Sequence, residues 1–187
     1  MQTPPIFIVT GTCGAGKTTV STALMRRFKF GLHIPIDDVI QWVVAGAARP
    51  FGHAARETKR QFVLARQSVM ASAKLYVDAG FAVAIDDIIR PHNVAALFEM
   101  PLAPRPIYKV RLRPAVEVAL HRNATRPNKG FDPSVLVDII HTVQERQDSA
   151  DYDAAGWLTI DSSDLSVAQT VDAILTHFQI DPKKAYG

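Results

Sequence analysis

The apolar run Ile6-Phe-Ile-Val-Thr10 passes directly into Gly11-Thr12-Cys13-Gly14-Ala15-Gly16-Lys17-Thr18-Thr19. No other stretch restricts the possible folds as much, because G-x-x-x-x-G-K-[ST] between a strand and a helix builds a loop that encloses an anion. Glycines at 11, 14 and 16 let the backbone turn several amide N–H groups inward. Lys17 adds a point charge suited to β and γ phosphates, and the Thr18 hydroxyl is the type of ligand that Mg²⁺ takes. A helix starting here aims the positive end of its dipole at the same point. Residues 11 to 19 therefore read as a polyphosphate cradle rather than a glycine-rich turn.

Composition sets outer limits. With 187 residues, 48% of them hydrophobic, the chain can bury a proper core and suits one domain over its whole length. Lys and Arg number 21 against 18 Asp and Glu, a formal net charge of +3 that favours anionic ligands. There is no dense basic tract, and the 8% aromatic content argues against a stacking groove for nucleic acid. The beginning, Met1-Gln-Thr-Pro-Pro5, has no basic leader, and no apolar run reaches the ~18 residues of a membrane span, so a cytoplasmic chain without membrane attachment is expected. The lone Cys13 excludes an internal disulfide. A cysteine-nucleophile phosphatase loop needs an Arg six positions on, where Thr19 stands, so Cys13 reads as a small residue in a permissive loop position. The six histidines, at 33, 53, 92, 121, 141 and 177, lack the paired spacing of a transition-metal ligand set.

Apolar spacing alternates between strand and helix periods. Strands are expected over 6–10, 32–36, 81–86, 106–112 and 157–161. Val20, Leu24 and Phe28 share one helical face, and Phe62, Val69, Ala73, Tyr76 and Val77 share another on a long helix over 54–79. Val167, Val171, Ile174, Leu175 and Phe178 stay in register after a Ser166-x-x-Gln169 capping box. Such alternation predicts an α/β fold in three layers, a parallel five-stranded sheet flanked by helices. Ligands of such sheets lie beyond the carboxyl ends of the strands, so further chemical residues should follow strands.

They do. The second strand runs into Asp37-Asp38, and a carboxylate there faces the loop and suits a general base for an attacking hydroxyl. A structural alternative is that Asp37 caps a helix beginning near Val39. The third strand ends at Asp86-Asp87, one of which suits Mg²⁺ or its water, without the pattern saying which. After the fourth strand, a helix over 114–125 carries Arg122, with Arg126 four residues on, before Pro127-Asn-Lys-Gly130. That spacing puts two guanidiniums on one face of a small lid, about residues 122–132, where they can neutralise a transferred phosphoryl group. Arg56, Lys59, Arg60 and Arg66 are candidates for an acceptor site, although a solvated face accounts for most of them.

In these features the chain resembles the small P-loop kinases that include chloramphenicol phosphotransferase, zeta-toxin-like kinases and the kinase domain of bacteriophage polynucleotide kinase. The likeness rests on the phosphate loop, the Ile36-Asp37-Asp38 junction, Val83-Ala-Ile-Asp-Asp87 and Leu120-His-Arg122-Asn-Ala-Thr-Arg126. It implies a P-loop NTPase fold, with ATP and Mg²⁺ held by Lys17 and Thr18, Asp37 as the base, and Arg122 and Arg126 on the transferred phosphate. The expected reaction is phosphoryl transfer from ATP to a hydroxyl of a small molecule, an antibiotic or a metabolite, although the resemblance itself does not carry over the acceptor.

Other classes leave different marks. A nucleotide, nucleoside or polynucleotide 5′-hydroxyl kinase is the nearest enzymatic rival, and a non-catalytic ATP-binding module is the alternative outside enzymes. A GTP switch would need N-K-x-D, but Asn128-Lys129-Gly-Phe-Asp132 misses the spacing, and Asp153-Ala-Ala-Gly156 comes after it rather than before. The stretch from Val43 to Gln67 carries no recognisable acceptor signature.

Overall fold

A computed structural model describes residues 3–48, 55–125 and 136–184. Its elements alternate as expected: β1 (Ile6–Thr10), α1 (Lys17–Met25), β2 (Gly31–Pro35), α2 (Ile36–Ile40), α3 (Ala55–Asp78) and β3 (Ala82–Asp86). Then come α4 (Pro91–Val94), a π-helical turn (Ala95–Glu99), α5 (Met100–Leu102), β4 (Ile107–Leu112), α6 (Val116–Ala124), α7 (Val137–Asp148), β5 (Leu158–Ile160) and α8 (Val167–His177). The five strands pair in parallel in the order β2-β3-β1-β4-β5. β1 and β3 are buried along their whole length, which is why both are unbroken apolar runs up to their last residues.

Strand alternation divides the core into two. Ile6, Ile8, Val83 and Ile85 face Val69, Ala73 and Val77 of α3, whereas Phe7, Val9, Ala82, Ala84, Val110 and Leu112 face Val20 and Leu24 of α1 and Val171 and Ile174 of α8. Each fully buried Val, Leu, Ile or Phe side chain contributes about 1.5–3 kcal/mol. The helix-sheet-helix sandwich therefore follows from two interleaved apolar sets on one ladder.

The departures from the sequence expectation have local causes. β2 begins at Gly31 rather than 32, since Gly31 already pairs with Ala82, and it passes so near α1 that an added Cβ would stand 2.3 Å from the Met25 carbonyl oxygen. It ends at Pro35, and Ile36 already opens α2. Asp37 accordingly lies inside the first turn; the N-cap position is Pro35, which corrects the capping alternative for Asp37. The short helices between β3 and β4 had no counterpart in the periodicity. Val94, Phe98 and Leu102 form their buried stripe, broken across three short pieces that include Pro91 and Pro101. The Ser166 capping box forms as expected, the hydroxyl accepting from Gln169 N at 3.2 Å and the Gln169 side chain from Ser166 N at 2.9 Å. Among the described residues no helix is long and apolar enough to cross a membrane.

A polar network joins α7 to the sheet. Asp148 accepts hydrogen bonds from Arg111 and, at 2.7 Å, from Arg113 Nε, while the buried Arg111 guanidinium stacks 4.4 Å above the Tyr152 ring. Burial pushes the Tyr152 phenol up to about 12, so it stays protonated and donates to the Ile89 carbonyl at 2.6 Å. Burial alone would raise Asp148, but the hydrogen bonds and charges of Arg113 and Arg111 outweigh it and hold the carboxyl below its ordinary range. A lowered folded-state value means that the contribution is present at neutral pH and lost as pH falls through the lowered value. Asp148→Asn should therefore be less stable than wild type by about 1–2 kcal/mol at pH 6, a charged hydrogen-bond value discounted for partial exposure. Urea midpoints of the two proteins should converge as pH falls from the ordinary carboxylate range through the lowered Asp148 value; a constant gap would show that the carboxylate charge is irrelevant.

Candidate active site

The phosphate loop leaves β1 at Thr10, whose hydroxyl donates to the Ile89 carbonyl at 3.2 Å and accepts from Ile89 N at 2.9 Å. Gly11 has φ +152°, and a Cβ there would lie 2.5 Å from the Leu112 carbonyl oxygen; at Gly14, φ is +81° and a Cβ would lie 2.2 Å from the Ala119 carbonyl oxygen. Two of the three glycines are thus required by β4 and α6 pressing on the loop from behind. Gly16 has no neighbour within 4 Å, so its need is purely conformational, φ +94° at the N-cap of α1. α1 has neither a side-chain cap nor an acidic residue in its first turn, leaving its N-terminal amides and dipole to act on an anion.

Lys17 Nζ spans the loop and donates to Gly11 O at 3.1 Å and Thr12 O at 3.2 Å. Thr12 Oγ1 donates to the Ile140 carbonyl at 3.3 Å, tying α7 to the loop. Cys13 is half-buried and packs with the small cluster of α6 and α7 around Ala119 and Ile140. Ala15 is buried, Thr18 half-buried and Thr19 exposed.

At the end of β3 the alternation that divides the core also divides the two carboxylates. Asp86, 3% exposed, follows Ala82 and Ala84 to the α1 face. Its Oδ2 is 2.7 Å from His33 Nε2, and His33 Nδ1 is 3.1 Å from Thr22 Oγ1, one helical turn beyond Thr18 on α1. Asp87 turns to the opposite face, where Arg66 Nε of α3 donates to Oδ2 at 2.7 Å and Ile88 N to Oδ1 at 2.7 Å. Burial pushes the Asp87 carboxyl above its ordinary range against the pull of Arg66, and the charge of Asp37 pushes in the same direction. Asp37 and Asp38 are both exposed.

The remaining candidates separate. Arg60 lies on the surface, paired with Glu57 at 2.7 Å, as a solvated face predicts. Arg66 departs from that expectation: its side chain is only 19% exposed and stacks 5.4 Å from the Phe62 ring while it binds Asp87. Arg122 Nη2 donates to the carbonyls of Ser162 at 2.9 Å and Ser163 at 3.4 Å, in the turn between β5 and α8. Arg126 and most of the expected lid lie outside the described residues. Sequence reasoning passed over Thr22, His33 and the inward turn of Arg66. The first two had a readable signal, a hydroxyl one turn after Thr18 and a polar ring inside a short apolar strand.

The model of the family described as chloramphenicol phosphotransferase-like protein matches residues 5–179. The chain belongs to that family. Among solved structures, shikimate kinase from Acinetobacter baumannii in complex with shikimate is similar at TM-score 0.63 and 22% identity, over 94% of this chain and 93% of that one. A gluconokinase from Sinorhizobium meliloti 1021 is similar at TM-score 0.61 and 18% identity, over 96% and 94%. The Deinococcus radiodurans tunicamycin resistance protein is similar at TM-score 0.64 and 14% identity, over 95% and 97%. No curated protein sequence matches. Its fold is that of the small P-loop kinases, and family and fold together support a phosphotransferase with a nucleotide-binding phosphate loop.

Proposed function

We propose that the protein transfers the γ-phosphate of ATP, in the presence of Mg²⁺, to a hydroxyl group of a small antibiotic-like or metabolite-like acceptor. The observation that carries this reading is the split at the end of β3, with Asp86 on the α1 face bonded to His33 and Asp87 on the α3 face bonded to Arg66. Donor and acceptor chemistry thus have separate carboxylates on opposite faces of one strand end, beside the loop that starts from β1.

The residues present fit Mg²⁺. Mg²⁺ characteristically takes one or two protein oxygens and completes its shell with phosphate and water, and Thr18 in the first turn of α1 and the Asp86 carboxylate, whose described hydrogen bond uses Oδ2, are hard oxygen donors of that kind. Thr18 would ligate it and Asp86 would hold it directly or through water; when bound, the ion supplies charge neutralisation at the β and γ phosphates. The chain's own residues do the rest. Loop amides and Lys17 grip the phosphates, and Asp37 accepts the acceptor's hydroxyl proton as that oxygen bonds to the γ-phosphorus. The bond from phosphorus to the bridging oxygen breaks, and ADP leaves. Arg122 acts on the transferred phosphoryl by exchanging the Ser162 and Ser163 carbonyls for phosphate oxygens, acceptors that suit the same planar donor. Arg126 is assigned the same task.

A panel of hydroxyl compounds screened for acceptor-dependent ADP release tests the reading. The expected hit gives one phosphorylated product per ADP and keeps its rate as salt rises. A 5′-hydroxyl oligonucleotide as the acceptor, with steep salt dependence, would move the assignment to a polynucleotide kinase. Intact ATP binding without release for any acceptor would leave a nucleotide-binding module.

A further inference from the structure

We propose that His33 is a positioning residue for the magnesium-nucleotide, holding one oxygen of Asp86 so that the other is the oxygen offered toward the ion or its water. This inference rests on the phosphate-loop reading above and extends it to a residue outside the loop and outside the strand-end carboxylates.

Chemistry fixes the direction of the bond at Asp86. An ionised carboxylate only accepts, so the proton facing Asp86 Oδ2 sits on His33 Nε2, and the Thr22 hydroxyl, which can donate or accept, pairs with Nδ1 in either protonation state of the ring. Each member comes from a different element: Thr22 from α1, His33 from the edge strand β2, Asp86 from β3. Asp86 and His33 side chains are only 4% and 12% exposed, so water competes poorly for these bonds. The described hydrogen bonds engage Oδ2 alone.

Thr22 also departs from the usual habit of a helical threonine, which bonds the carbonyl one turn back; its hydroxyl is spent on the ring instead. Thr18 and Thr22 stand one turn apart on the same helix face. The same face of α1 therefore carries the hydroxyl assigned to the ion and the hydroxyl that orients the ring behind Asp86. Outer partners of this kind orient ligating groups, and their loss typically costs about 10–100-fold in metal affinity. A merely structural histidine would tie β2 to α1 and leave the metal dependence unchanged.

Titration of Mg²⁺ into the full chain with a fluorescent ADP analogue separates the two, since nucleotide affinity is read with and without the ion and no turnover is needed. His33→Leu should raise the Mg²⁺ midpoint about 10-fold or more, leaving Mg²⁺-free nucleotide affinity at the wild-type value. His33→Gln, whose amide nitrogen substitutes for Nε2, should restore the midpoint to within about threefold of wild type. If His33→Leu does not fold, His33→Asn, polar but too short to replace Nε2, should show the same rise. An unchanged midpoint in the Leu or Asn variant overturns the proposal, as does an equal loss of Mg²⁺-free affinity or a Gln variant no better than Leu. A wild-type chain whose nucleotide binding ignores Mg²⁺ overturns the phosphate-loop reading as well, whereas a responsive wild type with indifferent variants overturns this inference alone.

Discussion

Lys17→Ala is expected to lower phosphoryl transfer by at least about 10²–10³-fold, the cost of removing one preorganised charge from the site of a developing anion. Lys17 holds two positions of the same loop, the carbonyls of Gly11 and Thr12, so its side chain crosses the space that the loop encloses. Loss of the ammonium removes the charge proposed to act on the phosphates together with two charge-assisted hydrogen bonds. ADP release, nucleotide affinity and thermal midpoint measured together distinguish these effects. The expected pattern is a collapse of transfer and weaker nucleotide binding with a small change in midpoint, because Gly11 and Gly14 remain braced by Leu112 and Ala119. Turnover at the wild-type rate would remove the foundation of the functional reading.

Asp37→Asn should have the second largest effect, about 10²–10⁴-fold on transfer, with nucleotide affinity almost unchanged. The carboxylate is exposed in the first turn of α2, and the N-cap there is Pro35, so substitution by the isosteric amide sacrifices no side-chain cap. It removes the proposed proton acceptor and, among its interactions, a negative charge that acts on Asp87. Rates equal to wild type would pass the role to Asp38 or leave the reaction without a base. A parallel fall in nucleotide affinity would instead mean that Asp37 belongs to the donor side.

Much of the fold was legible because its information is local. A continuous apolar strand followed by a glycine-rich turn and a lysine can be read without knowing its neighbours, and so can the heptad-like spacing of α8 behind Ser166. The region between β3 and β4 was not legible. Its buried stripe of Val94, Phe98 and Leu102 is spread over pieces too short to establish a period of their own and is held by tertiary packing. β2 runs one residue earlier than expected because it pairs with β3 from Gly31↔Ala82 to Pro35↔Asp86, a partner invisible in the segment alone.

The site divides along the same line. Sequence alone determined that a phosphate loop follows the first strand and that acidic pairs follow the second and third, since residue order and strand period suffice for both. Only the tertiary structure decided which carboxylate faces which partner. Adjacent residues at a strand end point to opposite faces, and what waits on each face comes from distant segments: His33 and Thr22 for Asp86, Arg66 for Asp87. The charge of Arg66 likewise had no readable direction in a basic helix until α3 packed beside β3 and turned it inward.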